Sequence, residues 1–223
     1  MGVNVEHIII DGNSTDGTSE IIQSRLHENI IYLRESDNGI YSALNKGLKM
    51  ATGDIVGILH SDDLFYDSNI LNCIQSEFLN PRINVVYGDL DYVSKLNTSK
   101  IVRKWKSGTF NINKLIFGWM PPHPTLFIRT DFAKTVGMYN EYYSISSDYD
   151  YILRCFSNKD VSAQYICKTL VKMRVGGVSN RSIGKIIEKM IQDYKIIRSN
   201  NTGGIITIAL KNLTKVTQFV TKR

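Results

Sequence analysis

Three times in its first 63 residues the chain ends a short apolar run at an abrupt acidic turn. Residues 5–11 run into Asp11-Gly12-Asn13-Ser14-Thr15-Asp16-Gly17-Thr18, residues 29–33 lead to Ser36-Asp37-Asn38-Gly39, and residues 55–59 stop at Ser61-Asp62-Asp63. Apolar runs of this length, bounded by turn formers, read as strands. Between them the spacing predicts helices. Thr15 or Asp16 is placed to cap one that continues to about Leu26, and Ile40, Ala43, Leu44, Gly47, Leu48 and Ala51 mark one face of the next. Alternating strand and helix predicts an α/β fold with right-handed crossovers and a mostly parallel sheet flanked by helices. In such a sheet the strand ends share one edge. Asp11, Asp37, Asp62 and Asp63, with Gly12, Gly17 and Gly39, are therefore expected around one nucleotide-sized cleft.

The run at residues 55–59 is apolar throughout and is expected to be buried on both faces. The adjacent carboxylates that follow it repel each other and raise each other's pKa, a cost that a divalent cation carrying a phosphate removes. An ordinary turn capping the next helix accounts for the same three residues, since Ser and Asp are common turn formers.

Further on, the spacing predicts a helix over residues 69–79 and a strand over 84–87, after which the alternation fades. Residues 92–93, 101–106 and 125–129 read as extended, 111–117 and 131–136 as short helices, and 147–156 as a helix beginning Ser147-Asp148-Tyr149-Asp150. The intervening Gly118-Trp119-Met120-Pro121-Pro122-His123-Pro124 is dense in proline and aromatics, as loops that line a pocket often are.

With 43% hydrophobic and 22% charged residues, the 223-residue chain has an ordinary globular composition. No run approaches the roughly 18 apolar residues of a membrane span, and the first eleven residues lack the plan of a signal peptide, so a cytoplasmic protein is expected. Cys73, Cys155 and Cys167 have no metal or disulfide spacing and are expected to be core thiols.

The net charge of +6 is not spread evenly. Six of the 27 bases, Lys195, Arg198, Lys211, Lys215, Lys222 and Arg223, follow Tyr194, where there is no acid, leaving 21 bases against 21 acids in the body. In this tail Ile206, Leu210, Leu213, Val216 and Val220 recur at helical spacing, with Lys211, Lys215 and Lys222 toward another side. That pattern suits a helix lying on an anionic membrane, and equally one packed on the body with a solvated basic face. Nucleic acid is not expected as a partner, because no aromatic and basic stripe accompanies the charge.

The three acidic segments, continued as Gly39-Ile40-Tyr41-Ser42-Ala43-Leu44-Asn45-Lys46-Gly47 and preceded by Ala51-Thr52-Gly53-Asp54-Ile55-Val56-Gly57-Ile58-Leu59-His60, together resemble glycosyltransferase family 2, whose catalytic domain has the GT-A fold. The resemblance covers about residues 5–174. It implies an inverting, metal-dependent transferase acting on a nucleoside-diphosphate-sugar, with a hydroxyl of a glycan or lipid-linked acceptor as the receiving group in bacterial surface-polysaccharide synthesis. By the same resemblance Asp11, Asp37, Gly39, Asn45, Asp62 and His123 contact the nucleotide-sugar. Asp63 is expected to ligate Mg²⁺ or Mn²⁺, and Asp148 to deprotonate the acceptor. Asp148 as a helix-capping residue is the competing expectation.

The resemblance also marks a departure. Family members usually begin with a further strand and helix before the strand at residues 5–11, so a GT-A-like domain over residues 1–180 is expected without its first βα unit, followed by a helical extension over 181–223. Loss of a central strand exposes two edges, which makes a truncated, non-catalytic paralogue serving as a binding partner the alternative function. Gly12 and Ser42, where relatives often carry Asp, are smaller departures. A peripheral position at the inner face of the cytoplasmic membrane suits the basic tail.

Overall fold

The computed structural model describes residues 3–176 and 183–220, the side chains of 183 and 214–220 excepted. It is a mixed α/β structure with a curled sheet flanked by helices. Strand β1 (His7–Asp11), helix α1 (Thr18–Gln23), strand β2 (Ile30–Arg34) and helix α2 (Ile40–Met50) follow the expected alternation. Strands β3 (Ile55–Gly57) and β4 (Asp63–Phe65), helix α3 (Ile70–Glu77), and strands β5 (Val85–Val93), β6 (Ile101–Trp105) and β7 (Phe127–Arg129) come next. Helices α4 (Thr130–Val136) and α5 (Ser147–Ser157), strand β8 (Ala163–Arg174), and helices α6 (Ile183–Ser199) and α7 (Ile205–Val220) complete the order. Residues 112–117 and 123–125 form 3-10 turns.

The strands form two sheets among the described residues. β1 and β2 pair in parallel by themselves, while a six-stranded sheet runs β3-β7-β5-β8-β4 with β6 also on β5. Only β5 and β8 are parallel in the larger sheet, the other pairings being antiparallel. The sheet is thus mixed, where the strand-helix alternation predicts a mostly parallel one. β7 returns directly beside β3 and β5, and such antiparallel pairing needs no helical crossover.

The core is built on β5. Val85 and Tyr87 point to one side, where α4, α5, α6 and α7 pack through Phe132, Tyr149, Ile152, Ile196 and Ile208. Val86 and Leu90 point to the other, against Ile70, Ile74 and Phe78 of α3. This is the two-residue alternation of a strand between two layers.

Several expectations need correction. The run at 55–59 is not buried on both faces: Ile55 and Val56 are half-buried and Leu59 is 42% exposed, because β3 is an edge strand held only by β7. Of the expected core thiols, Cys155 is buried but Cys167 is exposed on β8. The tail helix also turns the opposite way to its expected polarity. Ile206 and Leu213 are 75% and 61% exposed, whereas Lys211 is 2% exposed. The reason is local. Asp193 of α6 accepts from Lys211 Nζ at 2.9 Å, and the ring of Tyr149 on α5 lies 3.0 Å below the same ammonium. Gly118, in the left-handed region at φ 77°, lets α7 approach so closely that a Cβ there would meet the Lys211 backbone at 2.9 Å. Lys222 and Arg223, and the side chains of Lys215, Val216 and Val220, lie outside the described residues.

Candidate active site

At the end of β1, Asp11 is buried and held by its own loop, α1 and β2. It accepts from Ser14 N at 2.9 Å, Ser19 Oγ at 3.0 Å and the Tyr32 hydroxyl at 2.8 Å. Hydrogen bonding from Ser14 above all, joined by Tyr32 and Ser19, outweighs burial and holds the carboxyl down at about 2. Asp37 stands against the same loop, and a Cβ placed on Gly12 would lie 2.7 Å from its Oδ2. Gly12 is thus the residue that leaves room for Asp37. Asp37 Oδ1 accepts from Gly39 N at 2.9 Å, and Gly39, at φ 113° with open space before it, leads into α2.

Helix α2 leads from the acids at the β1 and β2 ends to Asp148. The hydroxyl of Tyr41, on its first turn, donates to Ile145 O at 2.7 Å and stands 3.3 Å from Asp148 Oδ1. Burial, and then the charge on Asp148, push the Tyr41 phenol well above its ordinary range. One turn on, the amide of Asn45 bridges α2 to the segment before α5. Its Nδ2 donates to Tyr139 O and Glu141 Oε1, and its Oδ1 accepts from Tyr139 N.

Asp62 and Asp63 follow a tight turn closed by Asp63 N donating to His60 O at 2.9 Å. Asp62 is exposed, and its carbonyl accepts from Arg174 at 3.1 Å. Asp63 is 5% exposed at the start of β4, and its Oδ2 has no hydrogen-bond partner. Burial, and then the neighbouring Asp62, push its carboxyl up to about 7 despite the opposing charge of Arg174. A cation at this pair would remove both penalties. Among the described residues no group of three or more His, Cys, Asp or Glu forms a ready-made cage. Two carboxylates nonetheless fit Mg²⁺ or Mn²⁺, which take oxygen ligands and are commonly completed by phosphate and water.

Asp148 sits half-buried in the first turn of α5, which has no side-chain cap. The backbone N–H groups of Ile145 and Ser146 are instead held by Gln192 Oε1 of α6 at 3.0 and 3.1 Å. Asp148 is therefore free of the capping role that competed for it. Asp150, two residues on, binds Arg154 at 2.8 Å and is structural. Burial raises the Tyr92 phenol against the opposing charge of Arg103, and the charges of Asp148 and Asp63 add to the rise.

His123 is 6% exposed, and its Nε2 lies 2.7 Å from the Tyr139 hydroxyl, so its ring is packed into the wall. Burial pushes it down to about 4, against the opposing charge of Asp148. The imidazole in front of it is His60, with ring centroids 5.9 Å apart, which burial also lowers and Asp148 raises. Sequence reasoning passed over His60 and Tyr41. The signal for His60 was its place immediately before Ser61-Asp62-Asp63, and for Tyr41 its place in the first turn after Gly39.

A buried carboxylate beside an exposed one, and a third carboxylate at a helix start, are set on this α/β frame. The chain matches the model of "Glycosyl transferase family 2" over residues 2–134. It is 32% identical over 186 residues to a PGL/p-HBAD biosynthesis glycosyltransferase of Mycobacterium tuberculosis, covering 81% of this chain and 70% of the relative. An uncharacterized glycosyltransferase of the same species is 26% identical over 67% of this chain and 56% of its own. Among solved structures, the mannosyltransferase PcManGT of Pyrobaculum calidifontis, in complex with GDP-Man and Mn²⁺, superposes with a TM-score of 0.60 at 16% identity. That match covers 92% of this chain and 59% of the mannosyltransferase. S. aureus TarS in complex with UDP also gives 0.60 at 16% identity, over 96% of this chain and 60% of TarS. The chain therefore spans about 60% of the length of these structures. The protein belongs to glycosyl transferase family 2 and has a GT-A-like fold.

Proposed function

We propose that this chain transfers a sugar, with inversion, from a nucleoside-diphosphate-sugar to a hydroxyl of a glycan or lipid-linked acceptor in surface polysaccharide or glycolipid synthesis. The observation that carries this reading is the placement of Asp148. Its carboxylate is half-buried, takes no capping bond and stands 3.3 Å from the Tyr41 hydroxyl, and its charge acts on His60, whose carbonyl closes the turn bearing Asp62 and Asp63.

In this reading Asp148 accepts the proton of the acceptor hydroxyl, and the freed oxygen attacks the anomeric carbon. The bond from that carbon to the diphosphate oxygen breaks on the opposite face, which inverts the centre. Tyr41, held protonated, orients Asp148 without competing for that proton. Asp63 and Asp62 would hold Mg²⁺ or Mn²⁺. When bound, the cation stabilises negative charge on the leaving nucleoside diphosphate. Asp37 and Gly39 face the donor at the head of α2, and Asp11 keeps their loop in place.

The nucleotides bound in structural neighbours support the donor class. PcManGT is described with GDP-Man and Mn²⁺, and TarS with UDP or UDP-GlcNAc. The test is donor turnover and transfer measured separately. Asp63→Ala should abolish metal-dependent donor hydrolysis, whereas Asp148→Asn should retain donor binding and lose transfer. Unchanged transfer in the Asp148→Asn protein would sink the reading.

A further inference from the structure

We infer that the outward face of α6 is a membrane-docking surface for an anionic lipid bilayer. Helix α6 is apolar on its buried side and on an adjoining exposed one. Ile196 and Ile197 are fully buried in the core beside Asp193. On the outward side Ile186, Ile187, Met190, Ile191 and Tyr194 form a stripe at helical spacing, each between 40% and 54% exposed. A solvated helix normally turns charge outward, and a continuous apolar stripe on it marks a surface that is covered in use.

Charge decides what covers it. Lys185 pairs with Glu188 at 2.9 Å and Lys189 with buried Asp193 at 3.6 Å, and Lys195 and Arg198 stand exposed at the flank of the stripe. A second copy seated on the stripe would bring these bases against their own kind. A bilayer containing anionic lipid takes the isoleucines into its apolar boundary and pairs the ammonium and guanidinium groups with headgroups. Lys195 and Arg198 are exposed beside Tyr194 and have the length to reach back to the headgroup level.

The surface adjoins the proposed site. A groove of about 350 Å³ separates Tyr142 from α6 and is lined by Ile187, Ile191, Gln192 and Lys195. The same Gln192 holds the backbone of Ile145 and Ser146, the residues that lead into Asp148. Docking through α6 therefore places the bilayer one helix away from the proposed base. This last consequence rests on the transferase reading; the docking surface itself does not.

The test is co-sedimentation of the full chain with vesicles of phosphatidylcholine alone and of phosphatidylcholine with phosphatidylglycerol. The expected result is binding to the mixed vesicles, weakened by salt and slight on phosphatidylcholine alone. Ile187→Glu with Ile191→Glu, both at exposed positions, should lower the bound fraction by at least about tenfold, given what burying two isoleucines contributes. A second variant, Lys195→Ala with Arg198→Ala, should lose binding to the anionic vesicles. No binding by the parent chain, equal binding by the Ile187/Ile191 variant, or equal affinity for both vesicles would overturn the inference. So would a dimer in sedimentation velocity that the Ile187/Ile191 variant converts to monomer, since the stripe would then belong to a second copy. Vesicle binding without sugar transfer would sink the transferase reading alone, and transfer in solution without vesicle binding would sink the docking surface alone.

Discussion

The hydroxyl of Tyr41 stands 3.3 Å from Oδ1 of Asp148 while donating to the carbonyl oxygen of Ile145 at 2.7 Å, so one phenol ties the head of α2 to the start of α5. The acids at the β1 and β2 ends belong to one half of the site and Asp148 to the other. Tyr41 is the side chain that fixes the distance between them.

Tyr41→Phe keeps the ring stacked on Tyr139 and removes only the hydroxyl. The expected result is a fall in kcat of about 10-fold or more with KM for the donor little changed, because a mispositioned base loses part of the 10²–10⁴-fold that general base catalysis supplies. Stability should fall by about 1 kcal/mol for the lost hydrogen bond. Steady-state kinetics and chemical denaturation of the same preparation separate the two effects.

The acidic turns and the helices that follow them were legible in the sequence because they rest on local chemistry: turn residues, short apolar runs and helical spacing within a dozen residues. Tyr41 and Asn45 were not legible as joints, because their partners lie 107 and 94 residues away. Strand β8 escaped because it mixes Gln164, Lys168 and Lys172 with apolar residues, and its register against β5 shifts near Asp89, which breaks the two-residue period. The tail's pattern was visible but its direction was not. A lysine at helical spacing reads as solvated until Asp193 and Tyr149 are seen to draw it inward.

Asp63 makes stability depend on pH in an unusual direction for a carboxylate. Its folded value of about 7 lies above the ordinary 3.8, so the folded state holds the proton through a range in which the unfolded chain has released it. The stabilising contribution of the protonated group is complete below about 4 and is lost as pH rises toward 7. Asp63→Asn should flatten this part of a Tm-versus-pH profile. Mn²⁺ or Mg²⁺ should raise the Tm of the parent chain more at pH 8 than at pH 5, since proton and cation compete for one carboxylate, and should leave the Asp63→Asn protein nearly unmoved.

Asp11 has the opposite sign. Its carboxyl is held down at about 2, so its stabilising contribution is present above about 4 and is lost as pH falls through the folded value. Asp11→Asn keeps the shape but removes the charge that Ser14, Ser19 and Tyr32 support. A loss of about 1.5–3 kcal/mol at pH 7, the range for hydrogen bonds to charged groups, should appear in urea titrations and shrink toward zero near pH 2.

Lys211 and Asp193 test whether the last two helices are part of the working body. Both side chains are nearly inaccessible, 2% and 3% exposed, and the ammonium also sits over the ring of Tyr149, the residue after Asp148. Removing Lys211 leaves buried Asp193 with the more distant Lys189, 3.6 Å away, and breaking a buried pair costs up to about 3–5 kcal/mol, whereas replacing both with apolar groups of similar volume is often neutral. Lys211→Met alone should therefore destabilise strongly, and Lys211→Met with Asp193→Leu should recover most of the loss in chemical denaturation. If α7 braces α5 through this pair, the single variant should also lose transfer beyond its loss of folded protein, and the double variant should regain it. Additive losses in the double variant would mean that the pair contributes to neither helix as a unit.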